Sequence, residues 1–289
     1  MRSNNPVFRR SEEFNRAGGQ TQQQTYAQYG QQAPSTWQTG PAGGAYGYDD
    51  VRQTPADRGG AMSIDSVVQK TAITLGVVIL TALATWVLTP DIDGFTTSSE
   101  MGTIYGAAMF GALGAFALSM VNSFKRVVSP ALVLAFAALE GVALGAISKA
   151  FDAQFGDGVV SGAVIGTFAA FAGTLTAYKV FNIQVGAKFK MFVMAAVFGM
   201  IGLSLMELVL GLFGAQIGLF GVSGLGMVTA FAGLILGVFM LIMDFDFVEQ
   251  GIRNQLPERE SWRAAFAMTV SLVWIYTNLL RILAFFSQD

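Results

Sequence analysis

Residues 225–243 read LGMVTAFAGLILGVFMLIM, without one charged side chain, and the next three residues are Asp244, Phe245 and Asp246. A bilayer's hydrocarbon core, about 30 Å thick, is crossed by about 20 helical residues rising about 1.5 Å each. This run is therefore predicted to cross a membrane. Six more runs have the same character: 71–88, 102–121, 130–147, 159–177, 191–212 and 264–286. Seven such runs predict an all-α integral membrane protein, a seven-transmembrane-helix bundle over residues 63–289. Its main partner is then the lipid bilayer, and its function must be sought in the few polar residues within the spans.

Composition narrows the chemistry. The chain is 53% hydrophobic, with 17 basic and 19 acidic residues, a balance that excludes a basic nucleic-acid binder. It has no Cys and no His. Disulfides, thiolate nucleophiles, Ser-His-Asp systems and the usual zinc or haem ligand sets are excluded with them. No catalytic residue, metal site or cofactor is expected, and any proton switch must be a carboxylate. Residues 1–62, rich in Gln, Gly and Tyr around TQQQTYAQYGQQAP, bury too little apolar surface to repay ordering. They are expected to form a disordered cytoplasmic tail. No apolar stretch of signal-peptide type precedes Ser66.

The loops alternate in charge. Basic residues occupy the tail, then Lys125 and Arg126, then Lys179, Lys188 and Lys190, then Arg253, Arg259 and Arg263. The intervening loops are base-poor. By the positive-inside rule the N-terminus is expected in the cytoplasm and the C-terminus outside, in a cell membrane crossed seven times.

Glycines recur four apart at Gly102/Gly106, Gly141/Gly145, Gly158/Gly162/Gly166 and Gly233/Gly237. This spacing lets helix backbones approach closely in lipid. The last run has no glycine. Instead Ser271, Trp274, Asn278 and Arg281 fall on one helical face, which predicts that the last helix is central, its polar side turned to protein or water.

Charges inside spans are costly and mark function by default. Glu140, Glu207 and Arg281 fall at similar depth, roughly 21–25 Å from the basic loops that precede them. Arg281 is expected to pair with Glu207, Glu140 or both, as a structural ion pair that fixes helix register. Asp244 continues the face of Gly233, Gly237 and Met240 and should point inward. Asp246, roughly 200° around the helix, should face solvent.

These residues resemble a known family. Residues 243–286, from Met243-Asp244-Phe245-Asp246 through Leu279-Leu280-Arg281-Ile282-Leu283, are similar to the end of the Bax-inhibitor (transmembrane Bax inhibitor motif) proteins. Residues 139–145, LEGVALG, are similar to the family's third helix, and Asn5-Pro6-Val7-Phe8-Arg9 looks like an actinobacterial branch. The resemblance implies a seven-helix bundle around its last helix. It also implies a pH-sensitive calcium or cation leak gated by a pair of buried aspartates. Asp244 matches one of that pair, and the partner position falls near Ser271, which is not acidic. Asp246, Glu249 and Glu140 are the acids left to substitute. Calcium would then be a transient guest. The rival reading is a non-conducting regulator that binds a membrane protease or another membrane protein.

An enzyme is not expected. The string Phe155-Gly156-Asp157-Gly158 lies in a loop and lacks the pattern of an intramembrane aspartyl protease. The seventh run holds no Lys for retinal, and no inverted repeat of a transporter is visible.

Overall fold

A computed structural model describes residues 60–92, 96–156, 158–215 and 217–288. Within them lie seven helices, each long and apolar enough to cross a membrane: α1 Ile64–Leu88, α2 Ser98–Phe124, α3 Pro130–Phe155, α4 Val159–Val180, α5 Ala187–Leu212, α6 Gly224–Arg253 and α7 Glu260–Phe286. The all-α, seven-span reading is therefore correct, and the protein is a multi-pass membrane protein.

Local chemistry sets the helix ends. Ser63 caps α1 by accepting from the Ser66 N–H, while Ser66 Oγ accepts from the Ser63 N–H, both at 3.1 Å. Thr97 and Glu100 make the same reciprocal box at the start of α2. Pro130 opens α3, where its missing N–H leaves no hydrogen bond unmade. Between α3 and α4, Gly156 and Gly158 have φ of +88° and +106°, a region that side chains with a Cβ disfavour.

The helices meet where their residues are smallest. α3 packs closely on both α1 and α2, α6 packs on α7, and α5 packs on α6. α7 also packs against α4, α1 and α3. A Cβ added to Gly111 of α2 would lie 2.5 Å from the Ala143 backbone nitrogen of α3. One on Gly141 or Gly145 would strike α1 at Val78, Thr81 and Ala82. Gly233 and Gly237 lie against Asn278, Ile275 and Trp274 of α7, and Gly162 and Gly166 against Leu283 and Leu279. The Gly102/Gly106 pair differs, since a Cβ at either would meet nothing within 4 Å. Spacing alone does not say which glycines face a neighbour.

Of the expected tail, residues 1–59 lie outside the described residues. Residues 60–62 run antiparallel to the α6–α7 loop, with the Met62 N–H donating to Leu256 O at 2.7 Å and the Glu258 N–H to Gly60 O at 2.8 Å. The Met62 side chain is buried in the cluster that holds Leu241, Phe245, Leu256 and Leu272. This short strap joins the entry to α1 to the hairpin of α6 and α7.

Candidate functional site

Asp244 sits on α6 about 14 Å from that helix's Arg253 end, by helical rise. Its neighbours Leu241 and Phe245 are buried with Leu272 and Ile275 of α7, so the carboxylate lies in an apolar surround and is itself only 8% exposed. One side chain answers it. Ser271 Oγ, on α7, donates to Asp244 Oδ2 at 2.6 Å, and Ser271 is fully buried. The residue at which the resemblance implies a second aspartate is thus a hydroxyl bonded to the first. A carboxylate and a hydroxyl can share or reverse a hydrogen bond, because a serine both donates and accepts. They are too few oxygens for a resident calcium ion, which takes six to eight. Among the described residues, no three of His, Cys, Asp or Glu gather into a metal-holding group.

Asp246 does not face solvent, contrary to the expectation. It is 5% exposed, and its Oδ2 lies 2.6 Å from Lys190 Nζ and accepts from Gln250 Nε2 at 2.6 Å. The helical angle was sound, but α5 packs on that side of α6 and brings Lys190 over the acid.

More charges gather at the same end of the bundle. Tyr178 of α4 donates to Glu249, which pairs with Arg253 at 3.1 Å. Lys70 of α1 reaches Glu258 at 2.8 Å. Arg263 donates to Arg126 O at 2.9 Å and lies 3.3 Å from Glu260, a pair buried almost completely. These contacts draw the tail side of α1 and the α2–α3, α4–α5 and α6–α7 loops to one end, the grouping expected from loop charge. The Glu260–Arg263 pair went unnoticed in sequence, because ERESWR reads as a solvated loop; its i, i+3 spacing was the available signal.

Arg281 and Glu207 do not form the expected ion pair. Arg281 donates through Nη2 to Leu219 O and Gly226 O, both at 2.8 Å, and to Thr229 Oγ1 at 2.9 Å. Its guanidinium also lies over the Phe220 ring and reaches Asn278 Oδ1 at 3.4 Å. Glu207 accepts the N–H of Gly218 at 2.8 Å. Acid and base grip successive residues of the α5–α6 loop, whose peptide groups stand where direct contact was expected. Glu140 is half-buried on α3 and is not among the partners of Arg281. A cavity of about 460 Å³ beside Glu207 is lined by Ser204, Leu208 and Phe220, without Glu140 or Asp244. The structure therefore joins Asp244 to Ser271 and Asn278 to Arg281, and leaves Glu140, Glu207 and Asp244 in separate surroundings.

The family model described as Bax inhibitor 1 like matches residues 5–288, nearly the whole chain. No curated protein matches this chain.

Proposed function

Because the chain belongs to the Bax inhibitor 1 like family, we propose that it is a pH-sensitive cation leak of the cell membrane, with calcium as the chief ion. In this reading the N-terminus is cytoplasmic, the C-terminus is outside, and Asp244 is the gating carboxylate. The observation that carries it is the single hydrogen bond between Asp244 on α6 and Ser271 on α7. A buried carboxylate is costly unless paired or protonated, so its proton and its partner are coupled. Protonating Asp244 removes the charge that Ser271 answers; losing the proton restores an anion able to attract a cation from the charged end of the bundle that holds Lys190, Glu249 and Glu258. Ser271 stands where the resemblance implies a second acid, and a hydroxyl brings no charge, so within that pair only Asp244 can gain or lose a proton.

The test is calcium flux in proteoliposomes from acidic to neutral pH, wild type beside Asp244→Asn and Ser271→Ala. A pH-dependent flux that loses its dependence in Asp244→Asn supports the reading. No flux above empty liposomes at any pH rejects it in favour of a non-conducting regulator of a membrane protease or other membrane protein. The strap against the α6–α7 loop favours that second reading, because it offers a partner of the tail a direct hold on α6 and α7.

A further inference from the structure

Met62, the residue before the Ser63 cap of α1, is 2% exposed, although its neighbours Gly60 and Ala61 lie open to solvent. Its side chain rests on the backbone of α6 at Gly251, where an added Cβ would lie 2.7 Å from Met62 Sδ. Gly251 follows Asp244 by seven residues, so the two share a face of α6, about 10 Å apart along the helix. Ala264 stands in the same relation to Ser271 on α7, and it is buried in one cluster with Met62. Met62 thus lies two helical turns from the Asp244–Ser271 hydrogen bond, on the side of the α6–α7 loop. We propose that Met62 is an inhibitory plug: the strap holds it against the seam of α6 and α7 and closes the route from that end of the bundle to Asp244.

Three observations make it a plug rather than a fixed part of the core. The first is chemical. With Phe247, Leu256 and Met268, Met62 completes an apolar layer that offers water or a cation no partner, and an unbranched thioether fits closely against a glycine. The second is how lightly it is held. Two backbone hydrogen bonds fix the strap, from the Met62 N–H to Leu256 O and from the Glu258 N–H to Gly60 O. The third is that its surroundings are secured without it. The start of α1 is moored to the α6–α7 hairpin by Ser66 Oγ and Ser261 Oγ at 2.7 Å and by Lys70 and Glu258 at 2.8 Å. The α6–α7 loop closes its own turn, with the Leu256 N–H donating to Gly251 O at 3.0 Å and the Glu260 N–H to Pro257 O at 2.9 Å. Lifting residues 60–62 breaks none of these contacts. What the route serves rests on the reading of Asp244 as the gating carboxylate; the seal itself does not.

The chain has no cysteine, so one introduced thiol reports on one place. The experiment uses the full chain in lipid nanodiscs, both faces open to a membrane-impermeant methanethiosulfonate. Ala264→Cys reports beside the plug. Ala137→Cys, fully buried in a separate cluster on α3, reports on the fold at large. With Met62 in place both thiols should react slowly. Adding Met62→Gly should speed the reaction of Ala264→Cys several-fold and leave that of Ala137→Cys unchanged. Met62→Leu refills the space and should keep both slow. Fast reaction of Ala264→Cys with Met62 in place would overturn the proposal, as would a reaction left slow by Met62→Gly. Equal gains at both thiols would also overturn it, by making Met62 a general support of the fold. Calcium flux through Met62→Gly in proteoliposomes separates the two readings: release seen by labelling, without flux in that variant or in wild type, keeps the plug and rejects the leak.

Discussion

Arg281 directs its guanidinium to backbone carbonyls and to Thr229 rather than to a carboxylate. Arg281→Ala should leave the carbonyls of Leu219 and Gly226 short of a donor and destabilise the bundle by about 1–3 kcal/mol, read from unfolding in detergent. Since Glu207 is not its partner, adding Glu207→Gln should not lessen the loss; a milder double variant would show that the charges couple directly after all. At Asp246 the opposite holds, because there the ion pair is real. Lys190→Ala strands a buried anion with only Gln250 and should cost about 3 kcal/mol, with Asp246→Asn recovering much of it. Sequence pattern identified every one of these charged residues. It could not pair them, because a helical angle gives a direction and not the neighbour that stands there. Asp246 was misplaced since nothing local shows α5 beside it, and Arg281 since loop carbonyls are invisible in a string of side chains. Ser271 was legible as the position where the family resemblance implies a second aspartate, although its bond to Asp244 was not.

At the scale of elements, glycines with the same spacing should respond differently. Gly237→Leu would put a Cβ 2.6 Å from Ile275 Cγ1 and force α6 from α7. An overpacked interface of this kind costs about 1–3 kcal/mol, and more where backbone cannot yield. Gly106→Leu meets nothing within 4 Å and should change stability by less than about 0.5 kcal/mol. Melting curves of the two variants decide this, and a large loss at Gly106 would mean that α2 has a partner there. The helices themselves were legible throughout, since hydrocarbon thickness fixes their length and lipid forbids an unpaired backbone. Their ends were not. α6 continues past Asp244 to Arg253 and α7 begins at Glu260, both beyond the apolar runs, where the Glu249–Arg253 and Glu260–Arg263 pairs carry the helices into the polar zone.

For the whole molecule, the alternation of basic loops has a physical counterpart in the ion pairs gathered at one end. The strap of residues 60–62 closes that end over the cluster next to Asp244. In an antiparallel bridge the paired Cα atoms stand about 4.5–5.5 Å apart, within the range a disulfide accepts. The chain has no cysteine of its own, so Ala61→Cys with Pro257→Cys should give a single defined bond on oxidation. If the mouth opens by releasing the strap, oxidation should lower calcium flux and reductant should restore it; equal flux in both states would remove the strap from gating. The clasp has a practical side as well. Whatever is fused ahead of residue 60 hangs from the α6–α7 hairpin as well as from α1, so an affinity handle there is a load on the very segment whose movement an experiment would try to watch.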